Sequence, residues 1–211
     1  MLPEDILIVD NFYTNPDAVR KLALEINYQE FGGMQNFPGF ESEKSFSSTS
    51  IKERFQKLIK NEIIISPREY IFGKFRYSTE NDYAQTEVHL DHDVDWTGIV
   101  YLTKDEDCQG GLSIYHHKKL GLDSAPVQSE LQDFNCKNIA EFDSKYIYPY
   151  TKLAENWNLL YYIPIKFNRL ILFKGSKYFH GITEQFGNSI YNSRLTQNFF
   201  FKEKVKKGVG L

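Results

Sequence analysis

VHLDHDVDWTGIVYLT, residues 88–103, is the stretch on which both fold and function turn. His89, Asp91, His92, Asp93 and Asp95 crowd its first half, and an apolar run rich in β-branched and aromatic residues follows at once. A solvated turn has this composition, and so does a metal site at the mouth of a β-barrel. On an extended strand, side chains two apart share a face. His89 and Asp91 therefore project together, about 7 Å apart along the backbone at ~3.3 Å per residue. His92 has the opposite parity and is expected to point away. Asp93 and Asp95 read as turn chemistry.

Working outward, short β-prone runs separated by polar turns fill the chain from residue 63 onward. They are EIIIS, YIFGKFRYS, GIVYLT, LSIYHH, LLYYIPI, RLILFKG and RLTQNFFF. That spacing predicts an antiparallel sandwich or barrel. The interruption at about 120–157 is mixed and polar, and reads as a long insertion with a short helix near 138–146. Before residue 63 the texture is helical. Asn15 is a fitting N-cap and Pro16 suits the first helical position. Val19, Leu22, Ala23 and Ile26 follow a helical period. Ser50 and Glu53 are spaced as a capping box for a second helix, with Ile51, Phe55, Leu58 and Ile59 on one face. The segment between them, FGGMQNFPGFESEKSFSS, reads as loop. The expectation is one domain over 1–211: a helical N-terminal elaboration over 1–62, a β core over 63–201 and a basic tail over 202–211.

Composition supports a mainly β α+β protein. Of 211 residues, 16% are aromatic, with 17 Phe and 14 Tyr, which suit pleated, half-buried surfaces. The net charge of −3, with both signs mixed, gives no strong nucleic-acid signal. Two cysteines, Cys108 and Cys136, form no disulfide framework. Without a signal peptide or a membrane-spanning apolar run, the expectation is a cytoplasmic protein with no membrane partner.

His89 and Asp91 are two-thirds of a 2-His-1-carboxylate triad, which holds non-haem Fe(II) and leaves positions open. The third ligand is sought among few candidates, since the chain has five histidines. His116 and His117 lie in YHHKKLG beside lysines and read as a solvent-facing turn. His180, in LILFKGSKYFHGI, follows a buried strand and a turn, which suits a ligand returning on a distant strand. Arg194 opens the apolar run RLTQNFFF. A guanidinium there needs an anion, and Thr196 shares its parity, so the two suit a carboxylate.

His89-Leu90-Asp91, His180 and Arg194 together resemble the H-x-D…H…R signature of 2-oxoglutarate- and Fe(II)-dependent dioxygenases. FRYSTENDYAQTEVHLD, GIVYLTKDEDCQGGLSIY and FHGI followed by Arg-x-Thr resemble segments of the prolyl-hydroxylase-like members. The likeness covers roughly residues 72–201. VDNFYTNPDAVRKLAL…FPG also reads like a group of small uncharacterised oxygenase-like proteins. The resemblance implies a double-stranded β-helix, a jelly-roll or cupin-like core flanked by N-terminal helices. It implies Fe(II) bound by His89, Asp91 and His180, and 2-oxoglutarate held by Arg194 with Thr196, Tyr101 and Tyr77. It further implies O2 as oxidant, ascorbate to keep the iron reduced, and hydroxylation of a small-molecule or protein side-chain substrate with release of succinate and CO2. The gap from His180 to Arg194 is longer than is usual in that family. GITEQFGNSIYNS is therefore expected to hold an enlarged turn around Gly187 and Asn188. Two other functions stay open: a non-catalytic jelly-roll binding module for a sugar or peptide, and a jelly-roll metalloenzyme that does not use 2-oxoglutarate.

Overall fold

A computed structural model describes residues 2–31, 35–66 and 71–205. The end of the expected basic tail, 206–211, lies outside the described residues, as do 32–34 of the expected loop and Tyr70 of the run YIFGKFRYS. The chain begins with β1 (Ile6–Val9) and α1 (Pro16–Glu25). Asn15 caps α1 by accepting from the Ala18 N–H at 3.2 Å. The helix turns Val19, Ala23 and Leu24 to the core, while Leu22 is exposed, contrary to the period read from sequence. Arg20 is buried instead. Its guanidinium donates to the Leu102 carbonyl at 2.6 Å and the Tyr191 carbonyl at 2.7 Å, so hydrogen bonding repays a charge on the inner face.

The segment read as loop contains one strand, and another lies just before it. β2 (Tyr28–Glu30) pairs with β3 (Phe40–Ser45), and β3 pairs with β5 (Phe72–Ser78). FESEKS lacks an apolar period because β2 and β3 lie at the sheet's margin, where ladder bonds rather than side chains hold them. After β3 in sequence runs α2 (Thr49–Ile59), capped by Ser48 rather than Ser50. Phe55 on α2 is fully buried. After β4 (Ile63–Ile64) and β5 come β6 (Trp96–Tyr101), β7 (Gly111–His117), β8 (Trp157–Pro164), β9 (Leu170–Phe173), β10 (His180–Ile182) and β11 (Arg194–Glu203).

Two antiparallel sheets face each other. The larger has eight strands ordered β1-β9-β6-β11-β5-β3-β2, with β4 also on β11; the smaller is β10-β7-β8. This is a mainly β, double-stranded β-helix. Alternation along β11 sends Leu195, Phe199 and Phe201 outward, where they pack with Phe12, Phe55 and Phe75 beneath α1 and α2. Arg194, Asn198 and Phe200 turn inward, toward the space between the sheets. Ile99, Tyr101, Leu112, Ile114, Ile171 and Phe173 form the core there.

The insertion folds as a third layer. α3 (Ile139–Phe142), capped by Asn138, runs into a π-helical turn, Asp143–Ile147. Phe142 and Ile147 are fully buried in a cluster with Val88, Leu90, Trp157 and Phe179. His117 belongs beside it and is not a solvent-facing turn residue. Its ring lies 4.6 Å from that of Trp157, and its Nε2–H donates to the Tyr146 carbonyl at 3.0 Å. Burial lowers its pKa. His116 is not a turn residue either: it lies on β7, half-buried, with its Nδ1 2.6 Å from Asp123 Oδ1. Cys108 and Cys136 are both free. No described helix is long and apolar enough to cross a membrane.

Candidate metal centre

His89 and Asp91 lie on an extended segment that bridges to His180 at the start of β10. The His89 N–H donates to the His180 carbonyl at 3.0 Å, and the His180 N–H to the His89 carbonyl at 3.1 Å. This pairing brings the two imidazoles together, with ring centroids 4.4 Å apart. Two residues on, the Asp91 N–H donates to the Gly175 carbonyl at 3.0 Å. That aims the Asp91 side chain at both rings. Its Oδ2 is 3.3 Å from His180 Nε2, and its Oδ1 is 3.7 Å from His89 Nε2.

Backbone carbonyls fix the tautomers. His180 Nδ1 lies 2.8 Å from the Tyr178 carbonyl and His89 Nδ1 lies 3.3 Å from the Glu87 carbonyl. A carbonyl only accepts, so each Nδ1 carries the proton and each Nε2 presents its lone pair to the centre. One ligand atom from each of His89, Asp91 and His180 lies within 4.8 Å of the other two. Cis ligands of an octahedral ion with bonds of about 2.1 Å stand about 3 Å apart. The donor set and the tautomers suit a divalent cation, and the Asp91–histidine separations of 3.3 and 3.7 Å lie close to that spacing.

Electrostatics agree with a site that keeps its ligands deprotonated. Burial, helped by the neighbouring His180, pushes the His89 pKa down to about 4. Burial opposes the charge on Asp91, but the two imidazoles and the Thr97 hydroxyl outweigh it and hold the carboxyl well below the usual carboxylate range. Metal affinity rises when protons do not compete for the ligands.

The triad lines a cavity of about 370 Å³ between the sheets, together with Arg194, Asn198 and Phe200. Arg194 is only 7% exposed, yet no carboxylate lies within ion-pair distance among the described residues, and its Nε has no hydrogen-bond partner. Its guanidinium rests over the Tyr101 ring, 5.4 Å from the centroid. The Tyr101 hydroxyl is itself buried without a partner, and burial pushes its pKa up.

Two residues expected to join Arg194 are placed otherwise. The Thr196 hydroxyl is already engaged, donating to the Arg76 carbonyl at 3.3 Å and accepting from Asn198 Nδ2 at 3.0 Å. Tyr77 reaches the cavity wall, but its ring points to the outer face, stacked 4.5 Å from Phe40. Parity explains this, because its neighbours Arg76 and Ser78 take the inward positions.

Arg76 went unnoticed in the sequence, although a cation inside an apolar strand is the same signal that marked Arg194. It lines the cavity and is held by Glu41, through Nε at 2.9 Å and Nη2 at 2.7 Å, with the Phe37 ring 3.7 Å from its guanidinium carbon. His92 also lines the cavity instead of pointing away, because Asp93 adopts a left-handed φ of 66° and turns the chain. Asp93 and Asp95 do serve the turn, Asp95 accepting from the Glu203 N–H at 2.8 Å. The enlarged turn before Arg194 is built as expected. Gly187 has φ 74°, where an added Cβ would meet the Asn192 carbonyl at 2.3 Å, and Asn192 Oδ1 accepts from the Asn188 and Ser189 N–H groups at 3.1 Å.

Residues 3–201 match the model of a family described as "Family of unknown function (DUF6445)". No curated protein matches the chain. Among solved structures, the chain is similar to HygX from Streptomyces hygroscopicus, solved with nickel and 2-oxoglutarate bound. The TM-score is 0.50 at 12% identity, over 93% of this chain and 82% of that one. It is also similar to TqaL, a selenomethionine-labelled Fe(II)/(alpha)ketoglutarate-dependent dioxygenase. There the TM-score is 0.42 at 13% identity, over 97% of this chain and 84% of that one. At such identities the likeness to HygX is one of fold.

Proposed function

The chain belongs to DUF6445, a family of unknown function, and from that premise we propose that it is a non-haem Fe(II)- and 2-oxoglutarate-dependent dioxygenase that hydroxylates its substrate. The observation that carries this reading is Arg194, a buried cation that has no carboxylate partner among the described residues and lines the cavity that also receives the three ligand atoms. A buried guanidinium left without an anion is costly. A dicarboxylate that reaches both the metal and Arg194 resolves the cost. The HygX structure, with metal and 2-oxoglutarate bound on a similar fold, supports the same assignment.

His89, Asp91 and His180 would hold the metal, leaving the cavity side open. Bound there, Fe(II) and 2-oxoglutarate supply oxygen activation, with 2-oxoglutarate leaving as succinate and CO2. Arg194 would bind the far carboxylate of the cosubstrate, and Tyr101, whose ring lies beneath the guanidinium, would assist it. The Tyr178 and Glu87 carbonyls keep both imidazoles in the ligating tautomer. Phe200, Ile99 and Leu112 give the cavity an apolar lining that keeps water from the reacting atoms. Phe37, Pro38, Val94 and Arg76 line the remainder and face the substrate, a small molecule or a protein side chain.

The test is succinate formation by purified protein with Fe(II), ascorbate and 2-oxoglutarate, alongside anaerobic binding of Fe(II) and 2-oxoglutarate. Asp91→Ala and Arg194→Ala are expected to abolish both succinate formation and cosubstrate binding. Succinate formed equally by these variants overturns the assignment. Oxygen consumption independent of 2-oxoglutarate would instead favour a metalloenzyme of another class.

A further inference from the structure

The segment that carries His89 and Asp91 belongs to neither sheet. Among the described residues its one strand-like contact is the bridge to His180. A metal strand so weakly paired needs another support, and the insertion provides it. Thr151, 7% exposed, takes the place of a neighbouring strand. Its Oγ1 accepts from the Glu87 N–H at 2.8 Å and donates to the Val88 carbonyl at 2.6 Å. Its own carbonyl accepts from the Val88 N–H at 3.2 Å. One residue thus satisfies three backbone groups immediately before His89. Beyond Asp91, the π-helical turn places Asp143 Oδ2 3.1 Å from His92 Nε2. Between these two ties, Val88 and Leu90 bury their side chains against Phe142, Ile147 and Phe179. That burial commits the alternate side chains, His89 and Asp91, to the cavity.

We infer that the insertion is a clamp on the metal strand rather than a lid over substrate, and that Thr151 and Asp143 are positioning residues for the metal ligands. The inference rests on the proposed metal centre and adds to it the groups that hold His89 and Asp91 in register. Groups that orient ligands typically change metal affinity 10–100-fold when removed.

The probe is Co(II), titrated into the metal-free full chain, with affinity and the d–d absorption spectrum as readouts, and with circular dichroism and melting temperature measured on the same samples. Thr151→Val removes the hydroxyl and leaves the Glu87 N–H and Val88 carbonyl unpaired. It is expected to weaken Co(II) binding about tenfold or more and to alter the spectrum, whereas Thr151→Ser restores both. Asp143→Asn is expected to weaken binding in the same direction. A folded Thr151→Val chain that binds Co(II) with wild-type affinity and spectrum overturns the inference. Should Thr151→Val fail to fold, Asp143→Asn decides by the same criterion. Failure of the wild type to bind Co(II) would sink the metal centre itself, a result distinct from equal binding by wild type and variants.

Discussion

The Thr97 hydroxyl donates to Asp91 Oδ2 at 2.5 Å, tying the core strand β6 to the carboxylate that faces both histidines. Thr97 lies in the stretch that follows the H-x-D motif and turns its side chain into the same cavity. A hydroxyl on a ligand carboxylate sets which oxygen is free and keeps the group ionised. Thr97→Val is expected to weaken Co(II) or Fe(II) binding about tenfold or more and to shift the acid limb of metal binding to higher pH. Titrations at several pH values check it, and an unchanged affinity profile would remove Thr97 from the centre.

Gly175 is the second neighbour that Asp91 cannot do without. A Cβ built there would stand 2.2 Å from Thr97 Oγ1 and 2.6 Å from Asp91 Oδ2. Something must move, and the groups in the way are those that set the carboxylate. Gly175→Ala is expected to reduce metal binding more than Thr97→Val does, with a fall in melting temperature. Metal affinity at the wild-type level would show that the turn yields without disturbing Asp91.

Arg194 makes opposite predictions for the empty and the loaded protein. Removing a buried cation that lacks a carboxylate partner among the described residues relieves a desolvation cost, so Arg194→Met is expected to leave the metal-free melting temperature unchanged or higher. The same change should cost about 2–5 kcal/mol of 2-oxoglutarate binding, since it strips one member of a buried charge pair. Calorimetry with metal-loaded protein measures the second effect and thermal melts the first. Loss of stability without loss of cosubstrate affinity would make Arg194 structural.

Acid should destabilise the metal-free protein through His89 first. In the unfolded chain His89 titrates near its ordinary 6.5, but burial holds it to about 4 in the fold. Between those values the unfolded chain binds a proton that the folded one rejects, so stability falls as pH drops through this window. Asp91, held below the ordinary carboxylate range, adds a loss of the same sign at still lower pH. Melting temperature is expected to decline between pH 6.5 and about 4, and His89→Gln should flatten that decline. Parallel curves for the two proteins would contradict the assignment.

The sequence was informative where local chemistry and fold agree. Asn15 and Pro16 mark the start of α1 because capping is a property of adjacent residues. The strands of the core are legible because β-branched and aromatic runs have few other uses. The strand parity that put His89 and Asp91 on one face also describes their placement in the structure. What stayed hidden depends on partners distant in the chain. FESEKS is a strand only because the edge of β5 is there to receive it. Arg20 is buried because two carbonyls from Leu102 and Tyr191 await it, which no helical period reveals. Tyr77 and Arg76 differ by one position, and only the pairing of β5 with β11 decides which enters the cavity. The His117 environment arises from the insertion, whose own sequence lacks a clean period.

The placement of β11 ties assembly to chemistry. This strand comes late in the chain, yet it sits between β5 and β6 and pairs along both of its edges. During synthesis β5 and β6 emerge long before the partner that will separate and cover them. Until Arg194–Glu203 is available, each offers an open edge to any other extended chain. A ribosome-stalled or truncated product ending before β11 would therefore be sticky as well as unable to hold an anion at Arg194. The residue that completes the cavity arrives on the segment that closes the sheet, so a nascent chain gains a finished ligand pocket and a shielded sheet at the same moment.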